Sequence, residues 1–139
     1  TERATTMRIL VVEDDFISRR LLCRYLESFG ECDVAVNGNE ALAALRQALD
    51  AGDPYDLVCL DIMMPGLSGQ ETLQELRKLE VARGVAAGTK VIMTTALEDQ
   101  ETVAKAFAAQ ADGYVTKPVD KRHFIETLKQ LGLEPALQA

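Results

Sequence analysis

The amino-acid sequence predicts an α/β fold, a doubly wound parallel sheet of five strands with helices on both faces. Short apolar runs alternate along the chain with longer stretches in which apolar residues recur at helical spacing. Apolar runs of this length, bounded by turn residues, are typical of strands that are buried on both faces. Each of the four clearest runs also leads to a polar residue. These runs are residues 9–12, 57–60, 91–93 and 113–115.

The first half of the chain predicts three strands and two helices. After the first strand, a helical stripe of apolar residues leads to Gly30, which we expect to cap the helix. Val34 and Val36 predict a second strand, and residues 37–38 predict a turn. A second apolar stripe precedes the third strand, which ends at Asp61. The stripes are Ile17, Leu21, Tyr25, Leu26 and Phe29, then Leu42, Leu45 and Leu49.

The second half continues the alternation. Ser68 and Glu71 form a capping-box signature at the start of a third helix. The fourth strand is followed by a helix and a short fifth strand, and Asp120 is expected to cap the last helix. The residues that predict the helix after the fourth strand are Val103, Ala104 and Phe107. Right-handed crossovers favour the strand order 2-1-3-4-5, which is a flavodoxin-like arrangement.

Length and composition narrow the possible functions. The 139 residues fit one domain. We expect residues 1–6 to be a leader or an expression remnant, 7–132 the domain and 133–139 a C-terminal tail. A net charge of −7 disfavours nucleic-acid binding, because phosphate contacts need clustered Lys and Arg. The three Cys form no CxxC pair, no apolar stretch approaches the roughly 18 residues of a membrane span, and residues 1–6 lack the apolar core of a secretory signal. We therefore expect a reducing, cytoplasmic location, without disulfides and without membrane contact.

Acidic residues at the ends of two predicted strands point to the function. In open parallel sheets, ligands bind beyond the carboxyl ends of the strands. Asp14 and Asp15 follow the first strand, and Asp61 ends the third. Helix capping is the alternative role for one Asp of the pair. Three carboxylates at one edge would repel one another unless a cation lay between them, and Mg²⁺ prefers carboxylates together with water and phosphate oxygens. We favour metal-assisted phosphoryl chemistry.

Two further residues complete the candidate site. Lys117 would supply a positive charge, and Pro118 restricts it to extended geometry. The bond between them is a candidate for a cis peptide, although trans is the commoner form before Pro. Thr95 adds a hydroxyl at the end of the fourth strand. His123 is the single His and has no partner at metal-ligand spacing, and no P-loop motif is present.

Four motifs make the chain similar to the receiver domain of two-component response regulators. They are ILVVEDD at 9–15, LDIMMPGLSG at 60–69, VIMTTA at 91–96 and GYVTKPV at 113–119. Each motif is modest alone, but four in this order at compatible spacing are highly specific. The resemblance covers nearly everything from Met7 to about Leu131.

The resemblance implies a phosphorylation site with a bound metal. Asp61 would be the phosphoacceptor, attacking phosphorus as an in-line nucleophile. Asp15, Asp61 and the main-chain carbonyl of Met63 would bind Mg²⁺ directly, and Asp14 would act through a metal-bound water. In the family, the donor is a phosphohistidine on a partner protein, either a histidine kinase or a phosphotransfer protein.

The resemblance also implies a conformational switch. Lys117 would pair with one phosphoryl oxygen, and the Thr95 hydroxyl would move to bond another. The ring of Tyr114 would turn inward as Thr95 moves. The surface of the fourth helix, fifth strand and fifth helix would carry the output to a downstream protein or to an effector domain.

Two alternatives from other functional classes remain. A phosphohydrolase of the haloacid dehalogenase type also uses an Asp nucleophile with Mg²⁺, but it requires a second Asp two residues on, where this chain has Met63. A degenerate receiver would bind partners without taking phosphate, although all the site residues are present. We therefore expect a signalling domain that catalyses only its own phosphorylation and dephosphorylation.

Overall fold

The fold is described from a computed structural model that covers residues 7–85, 88–96 and 110–135. Its five strands form one parallel sheet in the order β2-β1-β3-β4-β5, which confirms the predicted order. The strands are β1 Met7–Val12, β2 Gly30–Ala35, β3 Leu57–Asp61, β4 Lys90–Ala96 and β5 Gly113–Lys117. The sheet therefore has β3 at its centre and β2 and β5 at its edges.

Four helices lie within the described residues. They are α1 Phe16–Tyr25, α2 Gly38–Asp50, α3 Gly69–Ala82 and α4 Lys121–Gln130. The predicted helix through Val103, Ala104 and Phe107 lies outside the described residues, so four helices are described where the sequence predicts five. Helix α4 corresponds to the fifth predicted helix. Within the described ranges, no helix is long and apolar enough to cross a membrane.

Side chains at the helix starts explain where the helices begin. Asp15, Asn37 and Asp120 each accept a hydrogen bond from a backbone N–H near the start of a helix. Ser68 and Glu71 form the predicted capping box, because each side chain bonds the backbone N–H of the other. These caps fix the loops between strand ends and helices, which is where the candidate site lies.

The apolar core has two layers, one on each face of the sheet. One layer includes Leu10, Leu60 and Met93, and the other includes Ile9, Cys59 and Phe124. Every residue of β3 is buried. This follows from the continuous apolar run at 57–60, because a central parallel strand has helices over both faces.

The structure corrects one helix boundary. Helix α1 ends at Tyr25, and Gly30 is the first residue of β2 rather than the helix cap that its position suggested. Leu26 and Phe29 remain buried although they lie in a turn, with the Phe29 N–H bonded to the Leu26 carbonyl. A Cβ at Gly30 would lie 2.0 Å from the Met7 carbonyl oxygen, so close strand contact accounts for this glycine.

Candidate functional site

Three carboxylates meet where β1 and β3 end. Carboxylate oxygens of Glu13, Asp14 and Asp61 lie within 4.8 Å of one another. Glu13 and Asp14 follow β1 directly, and Asp61 is the last residue of β3. The two strands are neighbours in register, so their carboxyl ends share one edge. The fold therefore forms an acidic cluster at the predicted edge, with two of the three predicted carboxylates in it.

The membership of this cluster differs from the prediction in one residue. The Asp15 carboxylate turns toward α1, where it accepts a hydrogen bond of 2.8 Å from the Ser18 N–H. This capping bond holds the pKa of Asp15 below its ordinary value. The structure thus assigns Asp15 the capping role that was the alternative for the pair, and it does not bring Asp15 into the group of three.

Glu13 is the site residue that sequence reasoning missed. Its side chain is only 1% exposed, and it lies at the strand end where the sequence predicts the Asp pair. One signal was available in the sequence, because Glu13 directly follows the buried run 9–12 and is therefore the first polar residue at the strand end. The residue two positions later stands just before a helix, which is where a capping Asp belongs.

Lys117 connects the acidic residues of the two strands. Its Nζ lies 2.9 Å from Glu13 Oε1 and 3.1 Å from Asp61 Oδ2. The Lys117–Pro118 peptide bond is cis. The ammonium therefore reduces the electrostatic repulsion between the two buried carboxylates.

The pKa values of this group reflect burial and pairing. Burial raises the pKa of Glu13 to about 7 from its ordinary 4.5; the bond from Lys117 opposes this rise, and the negative charge of Asp61 adds to it. For Lys117, burial alone would lower the pKa. The bond to Glu13 and the charge of Asp61 outweigh burial and raise the pKa.

The raised pKa of Glu13 predicts a pH-dependent stability. The folded protein binds the Glu13 proton more tightly than the unfolded chain does. The stabilisation is therefore complete below pH 4.5 and is lost as the pH rises to about 7. Relative to Glu13→Gln, the free energy of unfolding without divalent cations should fall over this window, by at most about 3 kcal/mol. Urea unfolding of both proteins from pH 4.5 to 8 measures this difference. A difference that stays constant would contradict the assignment.

The Asp61 carboxylate is held by its surroundings. The Met63 N–H donates a 3.2 Å hydrogen bond to Asp61 Oδ1, while the Met63 side chain is 63% exposed. Gly69 bonds back to the Ile62 carbonyl. A Cβ at Gly69 would lie 2.2 Å from the Asp61 carbonyl oxygen, so only glycine fits there without displacement. The start of α3 thus packs against the backbone of the acidic residue.

The hydroxyls of Thr95 and Tyr114 make no hydrogen bond to Asp61 among the described residues. The buried Thr95 hydroxyl donates to the carbonyl of the next residue, Ala96, at 3.2 Å. The Tyr114 hydroxyl is buried, and no hydrogen-bond partner for it is found in the described part of the chain. His123 is exposed on α4, and the carboxylate cluster that could hold a metal does not include it.

The residues present fit a small hard cation. Oxygen ligands from several carboxylates at short mutual distance are what Mg²⁺ accepts, and the Met63 carbonyl belongs to the loop directly after Asp61. The site lacks the general acid that the alternative hydrolase mechanism needs, because the residue two positions after Asp61 is the exposed Met63. This arrangement suits phosphoryl transfer to Asp61, since that chemistry needs positioned opposite charge more than further covalent groups.

Comparisons with known proteins agree with this chemistry. The response regulator receiver domain family matches residues 9–129. The regulatory protein VanRB of Enterococcus faecalis is 38% identical over 127 residues, which are 91% of this chain and 52% of VanRB. The chemotaxis protein CheY of Halobacterium salinarum is 35% identical over 125 residues, 89% of this chain and 95% of CheY. The chain thus spans about half the length of VanRB and nearly all of this CheY.

A solved structure gives a similar result. The receiver domain of the histidine kinase CKI1 from Arabidopsis thaliana, complexed with Mg²⁺ and BeF₃⁻, matches this fold with a TM-score of 0.77. The two are 25% identical, and the match covers 94% of this chain and 93% of that one.

Proposed function

This chain belongs to the response regulator receiver domains of two-component systems, and on that premise we propose that Asp61 accepts the phosphoryl group. Phosphorylation-dependent switching is the known role of this family. The family match over 9–129, together with the elements from Met7 to Gln130, supports the predicted domain bounds of 7–132.

The observation that carries the proposal is the position of Lys117 Nζ between Asp61 and Glu13. One oxygen of Asp61 faces this ammonium and the other accepts the Met63 N–H, so the carboxylate is oriented from two sides. A phosphoryl group added to Asp61 would bring roughly 1.5–2 negative charges next to Lys117. The ion pair with Asp61 supports the proposal that Lys117 pairs with a phosphoryl oxygen.

The proposed metal ligands are Glu13, Asp14 and Asp61, with the Met63 carbonyl as a further oxygen. This set differs from the one that the sequence suggested by taking Glu13 in place of Asp15, and the three clustered carboxylates support it, whereas the Asp15 carboxylate caps α1. Bound Mg²⁺ would neutralise charge on the phosphoryl oxygens during transfer. The Mg²⁺ and BeF₃⁻ complex of the CKI1 receiver domain supports this choice of metal.

Thr95 and Tyr114 are the proposed switch residues. The Thr95 hydroxyl bonds only the neighbouring Ala96 carbonyl among the described residues, so a phosphoryl oxygen can compete for it at little cost. The Tyr114 hydroxyl is buried without a described partner, which fits a ring that has a second position available. The proposed output surface consists of β5, α4 and the predicted helix around Phe107, which lies outside the described residues.

Receiver domains accept phosphoryl groups from histidine kinases. We propose the same kind of donor here, a histidine kinase or a phosphotransfer protein, in the cytoplasm. The proposed recipient of the output is a downstream protein or an effector domain. The net charge of −7 supports the absence of direct nucleic-acid binding by this domain.

Ligand binding separates this function from its two alternatives. With Mg²⁺, beryllofluoride should bind at one equivalent, and acetyl phosphate should add one phosphoryl group; without Mg²⁺, neither should occur. Steady release of phosphate from unrelated monoesters would instead indicate a hydrolase. A chain that binds neither reagent would be a degenerate receiver, and the proposed function would be wrong.

The exposed Met63 side chain predicts a long-lived phosphoryl group. An apolar side chain beside Asp61 cannot orient an attacking water by hydrogen bonding. Met63→Ala opens the site to water and Met63→Asn adds a polar group, so both should lose phosphate several-fold faster. The measurement is the decay of phosphorylated protein after removal of the donor. Val81→Ala is a matched control, because Val81 is an exposed apolar residue on α3. Unchanged decay in both Met63 variants would contradict this prediction.

A further inference from the structure

Two cysteines lie close together on the face of the sheet that α1 covers, where both pack against the same apolar cluster. Cys23 is on α1 and Cys32 is on β2, and each thiol is near enough to shift the pKa of the other. Both are free and partly exposed, and both line one surface groove of about 340 Å³. The third cysteine, Cys59, is 0% exposed. The cysteines are not paired by any motif in the sequence, whereas the fold brings two of them to one accessible groove.

We propose that Cys23 and Cys32 form a redox site, which a small anionic disulfide such as oxidised glutathione closes to an intramolecular disulfide between α1 and β2. One thiolate attacks a sulfur of glutathione disulfide, which forms a mixed disulfide and releases one glutathione thiol. The second cysteine then attacks the mixed disulfide and releases the other. Two protein thiols are oxidised, one glutathione disulfide is reduced to two thiols, and each cysteine proton passes to a leaving thiolate.

The position of the pair permits closure without unfolding. The two cysteines line the same groove and pack against the same cluster, so bringing the sulfur atoms to a bond of about 2.05 Å needs a local shift only. Cys32 lies on the outermost strand of the sheet, where β2 pairs with β1 alone and has no second neighbour among the described strands. An edge strand with one neighbour can shift toward α1 more easily than a central strand can.

The groove favours an anionic reagent over a neutral one. Three arginines line it beside the two thiols, against a single glutamate, Glu27. These arginines are Arg19, Arg20 and Arg24. Glutathione disulfide carries more carboxylates than amines, so its charge complements this part of an otherwise acidic chain.

Burial sets the rate of closure. It raises the pKa of Cys32 to about 12, with the neighbouring Cys23 thiol adding to the effect, and it raises the pKa of Cys23 as well. Because the thiolate is the attacking species, closure should be slow at neutral pH and accelerate about tenfold per pH unit. The product is neutral, so burial does not oppose it. The site would respond to sustained oxidising conditions rather than to brief ones.

The test is to incubate the whole protein with oxidised glutathione at pH 7, 8 and 9, and then to count thiols in denaturant. The count should fall from three to one, the protein should stay monomeric on a non-reducing gel, and a peptide map should join Cys23 to Cys32. Dithiothreitol should restore all three thiols. Cys23→Ser and Cys32→Ser should each stop at a mixed disulfide, whereas Cys59→Ala should close normally.

Other results would overturn the proposal. They are three thiols that survive at pH 9, a cross-link between two chains, or a disulfide that involves Cys59. Asp61→Asn should close at the same rate as the natural chain, because the dithiol does not depend on phosphorylation. Failure of the redox site is therefore distinguishable from failure of the proposed function.

Discussion

Replacing Asp61 with Asn is expected to abolish phosphorylation by acetyl phosphate, with a loss of at least about 10³-fold in rate. The amide is a much poorer nucleophile than the carboxylate. The other carboxylates of the cluster project from different backbone positions, so we expect none of them to attack the phosphorus atom in place of Asp61. The substitution conserves shape, and the Asn oxygen can still accept the Met63 N–H bond. The measurement is the intact mass over time with Mg²⁺ and a phosphodonor.

Asp50→Asn is the matched control for this substitution. Asp50 ends α2 and makes an exposed ion pair with Arg83, so its loss should leave the phosphorylation rate unchanged. Residual phosphorylation of Asp61→Asn at more than a tenth of the natural rate would mean that another residue accepts the phosphoryl group.

Replacing Lys117 with Met should slow phosphorylation by about 10²-fold, the usual loss when a preorganised donor to a reacting oxyanion is removed. The ammonium lies 3.1 Å from Asp61 and is therefore placed to stabilise charge that develops on the phosphoryl group. Mg²⁺ binding should persist or strengthen, because the metal no longer competes with a fixed cation for the same carboxylates. The measurements are the phosphorylation rate and a Mg²⁺ titration.

The same variant should also lose stability, by about 1–3 kcal/mol at pH 8 without metal. Glu13 and Asp61 would remain buried together without their cation. The loss should shrink toward pH 6, where Glu13 takes up a proton. Lys121→Met removes an exposed Lys at the start of α4 and is the control. If Lys117→Met were phosphorylated at the natural rate, Lys117 would have no role in the phosphorylation site.

The inner strands of the sheet were predictable because most of their residues are buried. A continuous apolar run of three or four residues that leads to a polar residue is typical of a buried parallel strand, so Asp61 and Lys117 could be placed at one edge from the sequence. The strand order followed from the handedness of the crossovers. The capping box at Ser68 and Glu71 was readable for a similar reason, since its two bonds are local.

The sequence did not determine which two of the three consecutive acidic residues after β1 belong to the cluster. Glu13, Asp14 and Asp15 are consecutive, and each can be a ligand or a cap by residue type alone. What separates them is where β1 ends and where α1 begins, and a shift of one residue moves a side chain to the other face. The predicted end of α1 was wrong for a related reason, because Leu26 and Phe29 continue the apolar pattern into a buried turn.

The central claim is that Asp61 carries the phosphoryl group, and mapping the acyl phosphate tests it most directly. The protein would be phosphorylated with acetyl phosphate and Mg²⁺ and reduced with borohydride, which converts a phosphorylated Asp to homoserine. Peptide mass spectrometry would then locate the change. We predict homoserine at position 61 alone, and none when Mg²⁺ is withheld. Homoserine at Asp14 or Asp15, or an unmodified Asp61 in protein that has gained a phosphoryl group, would contradict the claim.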